Sequence, residues 1–129
     1  MSDVGGQERV YPAVEGGGEV PFTPDNTPGV TDERLDHIMV GEPRRRDQAW
    51  SGGHGFGAGK GKAAEFPQTW THAVVKAAIE QVLSDPASIR RKGSKLEFRG
   101  VVDGLLIVVV VRGRSGPPKM WTAYPEWTP

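Results

Sequence analysis

Lys95-Leu-Glu-Phe-Arg-Gly-Val-Val102, then Asp103-Gly104, then Leu105-Leu-Ile-Val-Val-Val-Val-Arg112 is the stretch whose reading decides the fold. Its first part alternates, with Leu96, Phe98 and Val102 on one face and Glu97 and Arg99 on the other. That is the period of a half-buried strand. Asp-Gly between two such runs is a strong hairpin signal, because a two-residue turn of the favoured kind needs positive φ at both positions. Leu105 to Val111 is apolar and rich in β-branched side chains, as a buried central strand is. These seven residues are the longest apolar run, and a helix that crosses a bilayer needs roughly 20. No transmembrane segment is expected.

Downstream, Gly113 to Pro118 reads as a loop and Lys119 to Tyr124 as a third strand, before a Pro125–Pro129 tail. Strict alternation in that strand puts Met120, Thr122 and Tyr124 on one face and Trp121 and Ala123 on the other. Two hydroxyls two residues apart on one face suit hydrogen bonding to a base and stacking on it, or simply make an ordinary β-rich surface.

Upstream, the period changes to that of helices. Val74, Val75, Ala78, Ile79, Val82 and Leu83 form one stripe between Thr71 and Leu83, and Asp85-Pro86 ends it. A shorter helix begins at Thr31, a suitable N-cap with Asp32 and Glu33 in the first turn; Leu35, Ile38 and Met39 recur on it and Gly41 stops it. Helices followed by a meander define an α+β fold, with N-terminal helices packed on a C-terminal antiparallel sheet. Residues 1–29 carry Pro12, Pro21, Pro24, Pro28 and Gly16-Gly-Gly18 with little apolar periodicity. They read as a flexible, acidic leader or linker before a domain at 30–129.

A chain of 129 residues fits one domain. It has no cysteine, hence no disulfide, thiolate nucleophile or thiolate metal site. The N-terminus has neither the basic nor the apolar region of a secretory signal. Net charge is zero but unevenly placed: residues 1–29 hold five acidic side chains against Arg9, so residues 30–129 are basic, with clusters at Arg44–Arg46 and Arg90–Lys92. That balance suits a polyanionic partner, and also suits solvated surface.

Between the helices lies Ser51-Gly-Gly-His54-Gly-Phe-Gly-Ala-Gly-Lys60-Gly-Lys62. Such a run is either a linker or a shaped backbone that carries an imidazole and two ammonium groups to an anion. It is not a nucleotide phosphate loop, because five positions before Gly59 stands His54, five before Gly61 stands Phe56, and Ala63 follows Lys62. ATP or GTP as a cofactor is therefore rejected. His37 and His54 would serve as general acid and base if they shared a pocket, since imidazole titrates at about 6.5. Spacing alone also allows two unrelated surface histidines. His72, in the first turn of the long helix, reads as structural or solvated. A metal needs a third ligand that no cysteine or close carboxylate cluster supplies.

Leu35-Asp-His37-Ile-Met-Val-Gly41-Glu, Gly52-Gly-His54-Gly-Phe-Gly, Gly61-Lys62 leading to Phe66-Pro67-Gln-Thr-Trp70-Thr71, and Thr122-Ala-Tyr124-Pro125 together resemble the bacterial EndoU-type ribonuclease toxin domains. The resemblance covers about 100 residues in family order, and is most specific at Gly-Gly-His, Phe-Pro-x-x-Trp and Thr-Ala-Tyr-Pro. It implies a metal-independent endoribonuclease without a cofactor. Such enzymes cleave RNA, commonly at uridine-containing sites and with tRNA as a candidate, leaving a 2′,3′-cyclic phosphate. It further implies a secreted or delivered effector that acts in the target-cell cytoplasm and is neutralised by a cognate immunity protein. On the family pattern His37 and His54 are the acid–base pair, and Lys62 the third catalytic residue. Lys60 is the alternative, because three residues separate Lys62 from Phe-Pro where the family usually has two. Thr122, Tyr124 and Thr71 line the substrate site. A non-catalytic RNA-binding module would need only the basic surface and Tyr124; an adhesin-type terminal domain would need neither.

Overall fold

The computed structural model describes residues 9–43, 50–51, 53–55, 65–112 and 117–127. Its elements in chain order are β1 (Val14–Glu15), α1 (Asp32–Met39), β2 (Glu42–Pro43), β3 (Trp50–Ser51), α2 (His72–Ser84), β4 (Ser88–Lys92), β5 (Lys95–Val102), β6 (Leu105–Arg112) and β7 (Lys119–Glu126). The fold is α+β. Five strands form one sheet in the order β1-β4-β5-β6-β7, and β2 and β3 form a separate two-stranded piece.

The sheet grows from the β5–β6 hairpin. Asp103 and Gly104 take φ of 50° and 78°, and Val102 pairs with Leu105 across them. Both central residues in the left-handed region match the twist of the flanking strands. β6 is buried along nearly its whole length, as its continuous apolar sequence requires. On one face, Leu96, Phe98, Ile107, Val109 and Val111 meet Val75, Ile79, Val82 and Leu83 of α2 and Leu35, Ile38 and Met39 of α1. Each fully buried aliphatic side chain in such a layer stabilises the fold by about 1.5–3 kcal/mol. Gly100 lies where a β-carbon would stand 3.2 Å from Val82 Cγ2, so its lack of a side chain lets α2 approach the sheet. Val74, expected in the apolar stripe of α2, is 39 % exposed at its edge instead.

The Thr31 cap forms as expected, and a second threonine caps α2. Thr31 Oγ1 accepts from Arg34 N at 3.1 Å, and Thr71 Oγ1 accepts from Val74 N at 3.2 Å, each supplying a partner to an otherwise orphaned amide. No helix among the described residues is long and apolar enough to cross a membrane.

One expectation is corrected. The leader assigned to residues 1–29 belongs to the folded unit from residue 9 onward, while residues 1–8 lie outside the described residues. β1 pairs in parallel with β4, Val14 with Ile89 and Glu15 with Arg90, so the sheet is mixed. Tyr11 donates to Leu83 O at 2.7 Å, satisfying a carbonyl at the C-terminal end of α2. Tyr11, Phe22 and Phe98 pack ring to ring at 5.5–6.0 Å. The three glycines are a shaped turn: all have positive φ, and a β-carbon at Gly18 would lie 2.7 Å from Arg91 Nη2. Arg91 donates to Gly17 O and Glu19 O.

The basic cluster Arg90-Arg91-Lys92 lies on β4. There Arg90 lies 3.9 Å from Glu15 and Lys92 lies 3.7 Å from Glu97.

Candidate active site

The C-terminal carbonyls of α1 organise the site. A helix leaves its last carbonyls without intrahelical partners. Asp36 O accepts from Val40 N and Gly41 N, and the next three are taken by a distant segment: Gly53 N donates to His37 O at 3.0 Å, His54 N to Ile38 O at 2.6 Å and Gly55 N to Met39 O at 2.9 Å. The chain returns there through β2 and β3, which pair Glu42 with Ser51 and Pro43 with Trp50. Two of the glycines now have specific reasons. Gly53 has a φ of 78°, which glycine adopts without penalty. At Gly55 a β-carbon would lie 2.8 Å from Met39 O.

His54 is pinned on both sides, since its own carbonyl accepts from Phe66 N at 2.6 Å. Phe66 is 1 % exposed and stacks on Trp70 at 5.8 Å, while Trp70 N closes a turn onto Pro67 O at 3.0 Å. Buried Phe66, backed by the half-buried Trp70, thus anchors the histidine loop. His37 is buried on α1. It lies three residues after Arg34, on the same side of the helix, and Arg34 reaches Trp121 of β7. The two histidine backbones, 17 positions apart in sequence, are therefore joined through adjacent hydrogen bonds on a helix that packs against β7.

β7 supplies the opposite wall. A bulge between Val110 and Val111 sets Val111 opposite Met120 and Val110 opposite Thr122, so Trp121 has no partner across the ladder. The bulge corrects the expected alternation: Met120 joins Ala123 in the core, and Thr122 and Tyr124 face the other way. The His54 and Tyr124 rings are 5.7 Å apart. Registers place Arg99, Val108 and Tyr124 in one row across three strands, and Glu97, Val110 and Thr122 in the next. The hydroxyl-bearing face thus also holds a charged network in which Arg99 pairs with Glu126 and lies 3.8 Å from Glu97. Burial raises the Tyr124 pKa above its ordinary value of 10.0; the carboxylates of Glu97 and Glu126 push the same way, and Arg99 opposes them. At neutral pH its hydroxyl is a neutral hydrogen-bond donor.

Glu97, Arg99 and Glu126 are the site-side residues that sequence reasoning left unassigned. Alternation did place Glu97 and Arg99 on the face away from Leu96 and Phe98, but their row-mates on β7 depend on register. Thr71 is engaged elsewhere, as the N-cap of α2, and His72 is exposed at the start of that helix. Lys62 and Lys60 lie outside the described residues, as do Arg44, Arg45 and Arg46. Among the described residues no three or more His, Cys, Asp or Glu side chains stand together as metal ligands do.

Comparison with family models, curated proteins and solved structures finds no match for this chain.

Proposed function

We propose that this chain is an EndoU-type endoribonuclease that cleaves RNA by transphosphorylation, with His37 and His54 as its proton-transfer pair. The observation that carries the reading is the position of His54. Its backbone is bonded into the end of the helix that bears His37, and its imidazole stands 5.7 Å from the Tyr124 ring. Two imidazoles can supply the base and the acid that RNA cleavage through the 2′-hydroxyl requires, and a neutral phenol can hydrogen-bond the substrate.

In the reaction, one imidazole removes the proton of the ribose 2′-OH as O2′ bonds to phosphorus. The other, as imidazolium, gives its proton to the 5′-oxygen as the P–O5′ bond breaks. The products are a 2′,3′-cyclic phosphate and a 5′-hydroxyl, and the two histidines have exchanged protonation states. The Tyr124 and Thr122 hydroxyls hydrogen-bond the substrate, and Lys62, or Lys60 in its place, stabilises the charge that builds on the phosphorane. In the wider setting the chain is a delivered effector that acts on RNA in a target cell and is held in check by an immunity protein.

The test is cleavage of tRNA or total RNA by the purified chain, with EDTA present and absent. Cleavage continues in EDTA and leaves cyclic-phosphate ends. His37→Ala and His54→Ala each lower the rate about 10²–10⁴-fold, the usual worth of one general acid or base. The double variant loses far less than the product of the two, because the pair acts as a unit. His72→Ala keeps the wild-type rate. Wild-type cleavage by both single variants, each shown folded by circular dichroism, would sink the assignment.

A further inference from the structure

Trp121 is the residue that the β6–β7 ladder leaves over, and a bulge commonly re-aims a side chain in this way. Its indole is 36 % exposed, yet it is not bare. The guanidinium carbon of Arg34 lies 4.6 Å from the ring centroid and that of Arg112 lies 4.4 Å from it. Two cations from different elements, α1 and the end of β6, are thus held over one aromatic ring, each by a cation–π contact. Beside them is a concave space of about 580 Å³, lined in part by Thr31, Glu33, Arg34, Lys119 and Trp121. That volume lies within the usual range for small-molecule sites, about 300–1,000 Å³. Among the described residues no ion pair neutralises Arg112 or Lys119, and Glu33 is the one acidic residue in the lining. The patch is cationic, aromatic and open.

We propose that Trp121, Arg34, Arg112 and Lys119 form a second subsite, which holds a nucleotide of the RNA strand flanking the scissile phosphate. The identity of the strand is taken from the ribonuclease reading above, whereas the chemistry of the patch stands without it. Indole and guanidinium planes both stack on the π-face of any base, and the cations neutralise the phosphates attached to it. An acidic peptide would use the charges and leave the exposed part of the indole uncovered. An apolar partner would use the indole and meet the charges of Arg112 and Lys119. A nucleotide alone among these offers a flat π-face and an anion within one residue. The location also fits: Trp121 directly precedes Thr122, and three residues at about 3.3 Å each separate it from Tyr124, roughly 10 Å along β7.

The experiment measures binding, not cleavage. The probes are a 2′-deoxy oligouridylate of about ten nucleotides, within the usual footprint of single-strand sites, and inorganic polyphosphate. The first lacks the attacking hydroxyl and is not cut; the second has charge and no base. Trp121→Ala lowers oligouridylate affinity about 5- to 150-fold, the span expected for one lost base stack, and leaves polyphosphate affinity unchanged. Arg112→Gln, at an exposed strand end and so the safer variant for folding, lowers affinity for both probes. It also flattens the slope of log K against log salt by about 0.7, the share of one phosphate contact on a single strand.

Wild-type oligouridylate affinity and salt slope in both variants, with thermal midpoints showing them folded, overturn the subsite. Equal losses on both probes in Trp121→Ala overturn the base-stacking half of it. Unchanged oligouridylate binding with weakened binding of poly-glutamate assigns the patch to an acidic protein partner and likewise overturns it. The two proposals fail separately. Patch-dependent binding without any RNA cleavage by the wild type sinks the ribonuclease and keeps the subsite, and cleavage with patch-independent binding does the reverse.

Discussion

Gly55→Ala tests the joint on which the site is hung. The added β-carbon would stand 2.8 Å from Met39 O and 3.2 Å from Met39 Cε. The methionine tip can swing aside, but the carbonyl is backbone at the end of α1 and moves only with the helix or the 53–55 segment. Relief therefore stretches the 2.9 Å Gly55–Met39 hydrogen bond, a loss of about 1 kcal/mol net, on top of about 1–3 kcal/mol for overpacking. A total of about 2–4 kcal/mol is expected in urea unfolding, as a lower midpoint with unchanged m-value. Activity should fall further than stability explains. His54 is the next residue, and a catalytic group misplaced by about 1 Å loses on the order of 10²-fold in rate. The cleavage assay is run well below the urea midpoint, so that the folded fraction is near one in both proteins. Gly29→Ala is the control, because a β-carbon there meets nothing within 4 Å and its φ is not positive; its stability should change by less than about 1 kcal/mol. Wild-type midpoint and rate in Gly55→Ala would refute the claim that this contact positions His54.

Two further outcomes concern the N-terminal segment. Burial raises the Tyr11 phenol from 10.0 to about 12, with Arg9 opposing and Asp25 reinforcing the shift. Its contribution to stability is full below pH 10, where both states are protonated, and is lost as pH rises from 10 to about 12 while only the unfolded chain ionises. The stability gap between wild type and Tyr11→Phe should narrow across that window, and a constant gap would count against the buried phenol. Arg91→Ala removes the donors to Gly17 O and Glu19 O and should cost about 1–2 kcal/mol. Amide exchange at Val14 and Glu15 should speed up more than exchange in β6; uniform change would place the clasp's effect elsewhere.

Local chemistry made much of the fold legible in advance. Asp103-Gly104, the apolar run of β6, Thr31 as a cap, and the stripe of α2 each act within a few residues, so composition and period suffice to read them. The glycine runs at 16–18 and 52–55 were ambiguous for a physical reason. A glycine needed for positive φ or close approach is chemically the same as one in a linker. Only the neighbour supplied by the fold, Arg91 in one case and Met39 O in the other, distinguishes them.

The candidate site divides the same way. Sequence alone determined which residues have the chemistry: His37, His54, Thr122 and Tyr124 with their titratable or hydroxyl side chains. It did not determine how the fold places them. The tertiary structure decided that the open end of α1 is capped by residues 53–55, because those carbonyls had no partner nearer in the chain. It decided that a bulge at Trp121 turns Met120 inward, since one extra residue shifts every side chain before it to the other face. It also decided that Arg99 and Tyr124 share a row, because register is set by pairing across strands and is written in no single segment.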